Sequence, residues 1–133
     1  MISKDDLPIV GILRGVNEKD VKPLAEIFIK HRIKYVEITM NTAKAGMLIS
    51  KFAEAGGKDM IIGAGTVLDT NDLDDAIAAG ARFIVSPSLI PEVIEECVSK
   101  EIPVFPGALT PTEIHSCWKL GATMVKLFPA SLF

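Results

Sequence analysis

The sequence predicts an α/β fold, a (β/α)8 barrel of the TIM type, with this chain covering about the first six βα units. Three observations carry that reading. Six short apolar runs recur along the chain, and segments with helical spacing separate them. The runs are apolar on both faces rather than alternating, as parallel strands covered by helices are. They recur roughly every 20–26 residues, a tight and even spacing that favours a barrel over an open doubly wound sheet.

In order, the strand candidates are PIVGIL (8–13), YVEIT (35–39), MIIGA (60–64), FIVS (83–86), PVFP (103–106) and MVKLF (124–128). The helix candidates lie near 18–31, 43–55, 71–79, 91–100 and 111–120. Pro91 and Pro111 suit a first helical turn, where a missing N–H costs nothing. Thr110 and Thr112 offer capping hydroxyls to the fifth helix, and Asp69, Thr70 and Asn71 offer caps to the third. Gly80 and Gly121 follow their helices as C-terminal caps do.

With 133 residues, 49% hydrophobic and 23% charged, the chain reads as one domain spanning 1–133. A complete barrel needs about 200–250 residues, so these units are expected to be the front of a longer one. The net charge of −3 argues against nucleic acid or an acidic membrane surface as the main partner. No apolar run approaches a membrane span, and the first residues lack the pattern of a signal peptide. Cys97 and Cys117 stand apart, without metal-site spacing, as reduced thiols of a cytoplasmic protein do.

Barrel chemistry gathers at the C-terminal strand ends. Those ends bring forward Arg14-Gly15, then Glu37 with Thr39, Asn41 and Thr42, then GAGT (63–66), Ser86-Pro87, Pro106-Gly107 and Lys126. Lys126 is anomalous: MVKLF reads as a covered strand, and desolvation there favours the neutral amine that attacks a carbonyl. Glu37 is a carboxylate inside another apolar strand, costly unless paired or protonated. It suits a general acid/base, or equally a structural ion pair with Lys126 or Arg14. GAGT lacks the third glycine of a dinucleotide fingerprint; it suits close backbone approach by a small substrate, with Thr66 aimed into the mouth. His31, His115 and Trp118 read as outer-helix residues, and the acidic run 72–75 as a solvated helix start.

The segments VEITMNT, IGAGTVL, FIVSPSL, FPGALTPTE and VKLFPAS resemble, in order and over essentially the whole chain, one family. It is that of the 2-keto-3-deoxy-6-phosphogluconate (KDPG) and 4-hydroxy-2-oxoglutarate aldolases, with its 2-keto-3-deoxy-6-phosphogalactonate branch. The resemblance implies a class I aldolase, without metal or other cofactor, that forms a homo-oligomer, usually a trimer. It implies that Lys126 forms a Schiff base with pyruvate or the keto acid and that Glu37 is the general acid/base. Thr66 and the backbone at Gly65 would hold the pyruvyl carboxylate, and Pro87 and Phe128 would line the pocket. Asn41 stands where many phosphogluconate enzymes have arginine, which looks more like the phosphogalactonate branch, with Arg14 supplying positive charge near the substrate.

The implied reaction is reversible cleavage of a 2-keto-3-deoxy-6-phospho sugar acid to pyruvate and glyceraldehyde 3-phosphate. A related cleavage of 4-hydroxy-2-oxoglutarate to pyruvate and glyoxylate needs no phosphate site. Two alternatives stand beside it. One is an inactive fragment dominated by association through open strand edges. The other is a phosphosugar isomerase or epimerase on the same scaffold, which would not require Lys126.

Overall fold

The computed structural model describes residues 6–132. The first five residues of the N-terminal stretch read for a signal-peptide pattern lie outside them. Strands β1 (Val10–Leu13), β2 (Tyr35–Thr39), β3 (Ile61–Gly65), β4 (Ile84–Val85) and β5 (Val104–Phe105) form one sheet. All its pairings are parallel, in the order β1-β2-β3-β4-β5. Between consecutive strands run α1 (Val21–Lys30), α2 (Ala45–Gly56), α3 (Thr70–Ala78) and α4 (Pro91–Ser99), each helix packed on the next. A doubly wound sheet reverses its strand order at a switch point. This order never reverses, so each unit winds on in one sense, as in a (β/α)8 barrel.

The fifth apolar run differs from expectation. It is divided into β5 and a separate pair of residues, β6 (Gly107–Ala108), which pairs in parallel with β7 (Lys126–Leu127). Pro106 lies at the division, and a residue without an N–H cannot complete a ladder. Its carbonyl still accepts from the Lys126 N–H at 2.9 Å, and Thr123 N–H donates to the Val104 carbonyl at 3.0 Å. The chain thus keeps its course across the break. Helix α5 (Pro111–Lys119) follows β6.

The termini follow local chemistry. Thr110 and Glu113 cap α5 reciprocally: Glu113 N–H donates to Thr110 Oγ1 at 3.3 Å, and Thr110 N–H donates to Glu113 Oε2 at 2.8 Å. Asp69 Oδ1 accepts from Asp72 N–H at 2.8 Å and caps α3.

Period-two alternation along the strands divides the core into two sides. Val36, Ile38, Ile62, Ala64 and Ile84 pack under the helices with Leu48, Ile49 and Phe52 of α2. Burying each of the larger of these side chains contributes about 1.5–3 kcal/mol. Tyr35, Phe83, Val85 and Phe105 form a second cluster on the opposite, concave side. The Phe83 and Phe105 rings stack with centroids 5.5 Å apart, and Tyr35 meets Phe83 edge-on. The functional candidates stand above this aromatic floor.

Candidate active site

Register sets the site. Ile12 of β1, Glu37 of β2 and Gly63 of β3 are aligned across three strands, and Thr39 pairs with Gly65 one step nearer the C-terminal end. Alternation therefore turns Glu37 to the concave side, above Tyr35. The residue is only 2% exposed. Its carboxylate faces a cavity of about 250 Å³ walled by Val10, Ile12, Val85, Phe105 and Met124, and the same cavity is lined by Lys126.

Burial pushes the Glu37 carboxyl above its ordinary value, and the positive charges of Lys126 and Arg14 oppose that shift. The structural ion pair considered as an alternative is not formed: Glu37 is absent from every salt bridge among the described residues. Nor does any described N–H or O–H donate to its carboxylate. Among the described residues no buried side-chain oxygen lacks a partner, so the Glu37 carboxylate oxygens open onto the cavity, where they are available to a ligand or a water.

Gly65 explains where that carboxylate rests. A Cβ built there would lie 2.5 Å from Glu37 Oε1, and one on Gly63 would meet the Phe83 ring. The GAGT glycines were read as room for a substrate against the backbone. In the structure that room is filled by the protein's own Glu37 and Phe83.

Lys126 departs from the sequence reading in one respect. MVKLF suggested a covered, central strand, yet Lys126 is half-buried, and Leu127 and Phe128 are exposed, Phe128 at 42%. The apolar residues beside Lys126 divide between two directions. Met124 joins the aromatic floor, whereas Leu127 and Phe128 are exposed. The amine lies 4.8 Å from the centroid of the Phe128 ring, a cation–π contact that restrains the long side chain.

The remaining candidates divide. Arg14 Nη2 donates to Thr66 Oγ1 at 3.4 Å, joining the ends of β1 and β3. Thr66 holds a left-handed backbone, φ 56°, unusual for a β-branched residue. Pro87 stands off the cavity, its carbonyl packed so closely on Gly107 that no side chain fits there. Asn41 is exposed at the tip of a turn closed by Thr42 N–H to the Thr39 carbonyl, 2.9 Å. Sequence reasoning missed the cavity walls, which come from other strands and are found only through their register with Glu37.

Other chemistry-bearing residues lie elsewhere. Cys97 is buried, its thiol pushed up to about 12 by desolvation, which leaves it inert. Among the described residues no group of three His, Cys, Asp or Glu side chains could hold a metal ion.

Comparison with known proteins decides the family. The model of the KDPG and KHG aldolases matches residues 3–133. The chain belongs to the KDPG and KHG aldolase family. It is 36% identical over 126 residues to the 2-dehydro-3-deoxy-phosphogluconate aldolase of Treponema pallidum, covering 95% of this chain and 58% of that protein. It is 34% identical over 127 residues to the 2-dehydro-3-deoxy-6-phosphogalactonate aldolase of Escherichia coli, covering 96% and 62%. The KDPG aldolase of Legionella pneumophila, solved with pyruvate captured as a covalent carbinolamine intermediate, superposes with TM-score 0.85 at 31% identity, over 94% of this chain and 60% of that one.

These matches place the α/β chain in the TIM-barrel family to which the KDPG aldolases belong. The chain spans about three-fifths of the length of the relatives it matches. Near-equal identity to a phosphogluconate and a phosphogalactonate aldolase does not separate the two branches. For this KDPG and KHG aldolase family member, the Asn41 argument remains a matter of chemistry.

Proposed function

We propose that residues 1–133 are a single domain, the front six units of a barrel, carrying the lysine and proton-transfer group of a class I aldolase. The observation that carries this reading is Glu37: a residue 2% exposed whose carboxylate opens onto a cavity that Lys126 shares. The Lys126 amine adds to the C2 carbonyl of a 2-keto-3-deoxy-6-phospho sugar acid, and a proton delivered through Glu37 lets the carbinolamine hydroxyl leave as water, which gives an iminium ion and leaves Glu37 as the carboxylate. The Glu37 carboxylate takes the proton of the C4 hydroxyl as the C3–C4 bond breaks. The bonding electrons enter the iminium as an enamine, and glyceraldehyde 3-phosphate leaves. Protonated Glu37 returns its proton to C3, and water releases pyruvate from Lys126.

A carboxyl raised by burial suits both halves of that cycle, since desolvation makes its carboxylate a stronger base toward the C4 hydroxyl proton, which the resulting acid can return to C3. Arg14, Thr66 and the Gly65 backbone hold the anionic groups, Asn41 borders the sugar, Phe128 shapes the rim beside Lys126, and Pro87 supports that rim from outside the cavity through Gly107. Arg14 and Asn41 favour the phosphogalactonate branch, and 4-hydroxy-2-oxoglutarate is a further substrate. The lysine supplies the electron sink, so no added cofactor is required. The setting is cytoplasmic and the assembly a homo-oligomer, a trimer by family likeness; among the described residues no helix is long and apolar enough to cross a membrane.

The test is pyruvate release from the three oxo acids by the wild type, Lys126→Ala and Glu37→Gln. The proposal requires release by the wild type and none by Lys126→Ala. Equal pyruvate release with and without Lys126 would contradict it and favour a lyase mechanism without a Schiff base.

A further inference from the structure

We propose that Thr42, which lies outside the cavity, is a positioning residue for Arg14; the inference rests on the aldolase reading above. Arg14 is exposed, and a free arginine loses up to about 2 kcal/mol of rotamer entropy when fixed. Its aim at a substrate anion therefore depends on how its backbone is set.

The setting is visible one residue on. Gly15 adopts a left-handed turn, φ 68°, and its N–H donates to Thr42 Oγ1 at 3.1 Å. Thr42 Oγ1 in turn lies 2.9 Å from Thr39 Oγ1, on the last residue of β2. Thr39 is fully buried and Thr42 is 5% exposed.

The Thr42 backbone is fixed from both sides. Its N–H donates to the Thr39 carbonyl at 2.9 Å, and its carbonyl accepts from Ala45 N–H at 3.1 Å. A buried hydroxyl costs free energy unless partnered. Here the partners are the strand end that carries Glu37 and the peptide that follows Arg14. The guanidinium is tied at its far end to Thr66. Arg14 is thus held at its base by the loop after β2 and at its tip by the residue after β3, the two strands that carry Glu37 and Gly65.

A merely structural Thr42 would lower stability without regard to Arg14. A positioning Thr42 acts on ligand binding only while Arg14 is present. The experiment measures the pyruvate concentration giving half-maximal borohydride-trapped adduct on the 133-residue chain. Thr42→Val should raise it about tenfold, the scale of one hydrogen bond, and Thr42→Ser should restore it to within about twofold. In an Arg14→Ala background, Thr42→Val should add nothing.

An unchanged half-saturation in Thr42→Val, or the same shift with and without Arg14, overturns the inference while leaving the aldolase reading intact. No wild-type adduct overturns both. If Thr42→Val does not fold, amide exchange of the wild type decides. Protection at Gly15 that deepens with pyruvate supports the inference, and an unprotected Gly15 amide overturns it.

Discussion

The carboxylate of Glu37 rests on the Cα of Gly65, so closely that a Cβ there would stand 2.5 Å from Oε1. The two residues come from adjacent strands, and Gly65 pairs with Thr39, two residues beyond Glu37. Glycine at 65 is what lets the carboxylate lie flat against β3 and face the cavity.

Gly65→Ala should therefore harm chemistry more than folding. The group displaced is the mobile end of Glu37, which can swing aside. Moving a reacting group by about 1 Å costs on the order of 10²-fold in rate. The expected result is a fall of that order in pyruvate release with a Tm close to wild type, read by a coupled assay and thermal melting. A large loss of Tm with normal turnover per folded molecule would show that Gly65 serves packing alone.

Glu37→Gln should trade activity for stability. Burial raises the folded pKa above the ordinary carboxyl value of 4.5. Between that value and the raised folded one, the folded protein retains a proton that the unfolded chain has released. Stability therefore falls as pH rises through this window. Removing the charge should raise Tm above that window and flatten the pH dependence within it, while slowing catalysis by about 10²–10⁴-fold. A variant less stable above that window, or one with an unchanged pH profile of melting, would contradict a desolvated Glu37.

Thr66 offers a test of backbone strain. With φ at 56°, its side chain costs about 1–2 kcal/mol relative to a residue without a Cβ. Glycine ordinarily loses about 0.5–1 kcal/mol to alanine through chain entropy. Here the order should invert, with Thr66→Gly at least as stable as Thr66→Ala in urea melts. Both variants lose the hydroxyl that accepts from Arg14 and should bind pyruvate more weakly. Alanine clearly more stable than glycine would place the strain elsewhere.

How far the sequence foretold this molecule depends on what each signal reports. Strand and helix alternation was legible because burial on both faces leaves continuous apolar runs such as YVEIT and MIIGA. Glu37 and Lys126 stood out because a charge inside such a run has to be accounted for. The split at Pro106 was less visible: proline removes one N–H, and whether that ends a ladder depends on the neighbouring strand. MVKLF records apolar character and not its direction, and in the structure Leu127 and Phe128 are exposed while Lys126 is half-buried. The Gly65–Glu37 contact joins residues of different strands, so only register reveals it. Of the substrate-contact candidates, Arg14 and Thr66 meet each other, Gly65 meets Glu37 and Phe128 meets Lys126, while Pro87 and Asn41 stand apart.

The central claim is that Lys126 bonds covalently to an oxo acid beside Glu37. Borohydride reduction in the presence of pyruvate, followed by intact mass and peptide mapping, tests it most directly. The account predicts a single pyruvyl adduct on Lys126, absent from Lys126→Ala and still formed, more slowly, in Glu37→Gln. A folded protein that gives no adduct, or one whose adduct maps to another lysine, would contradict it.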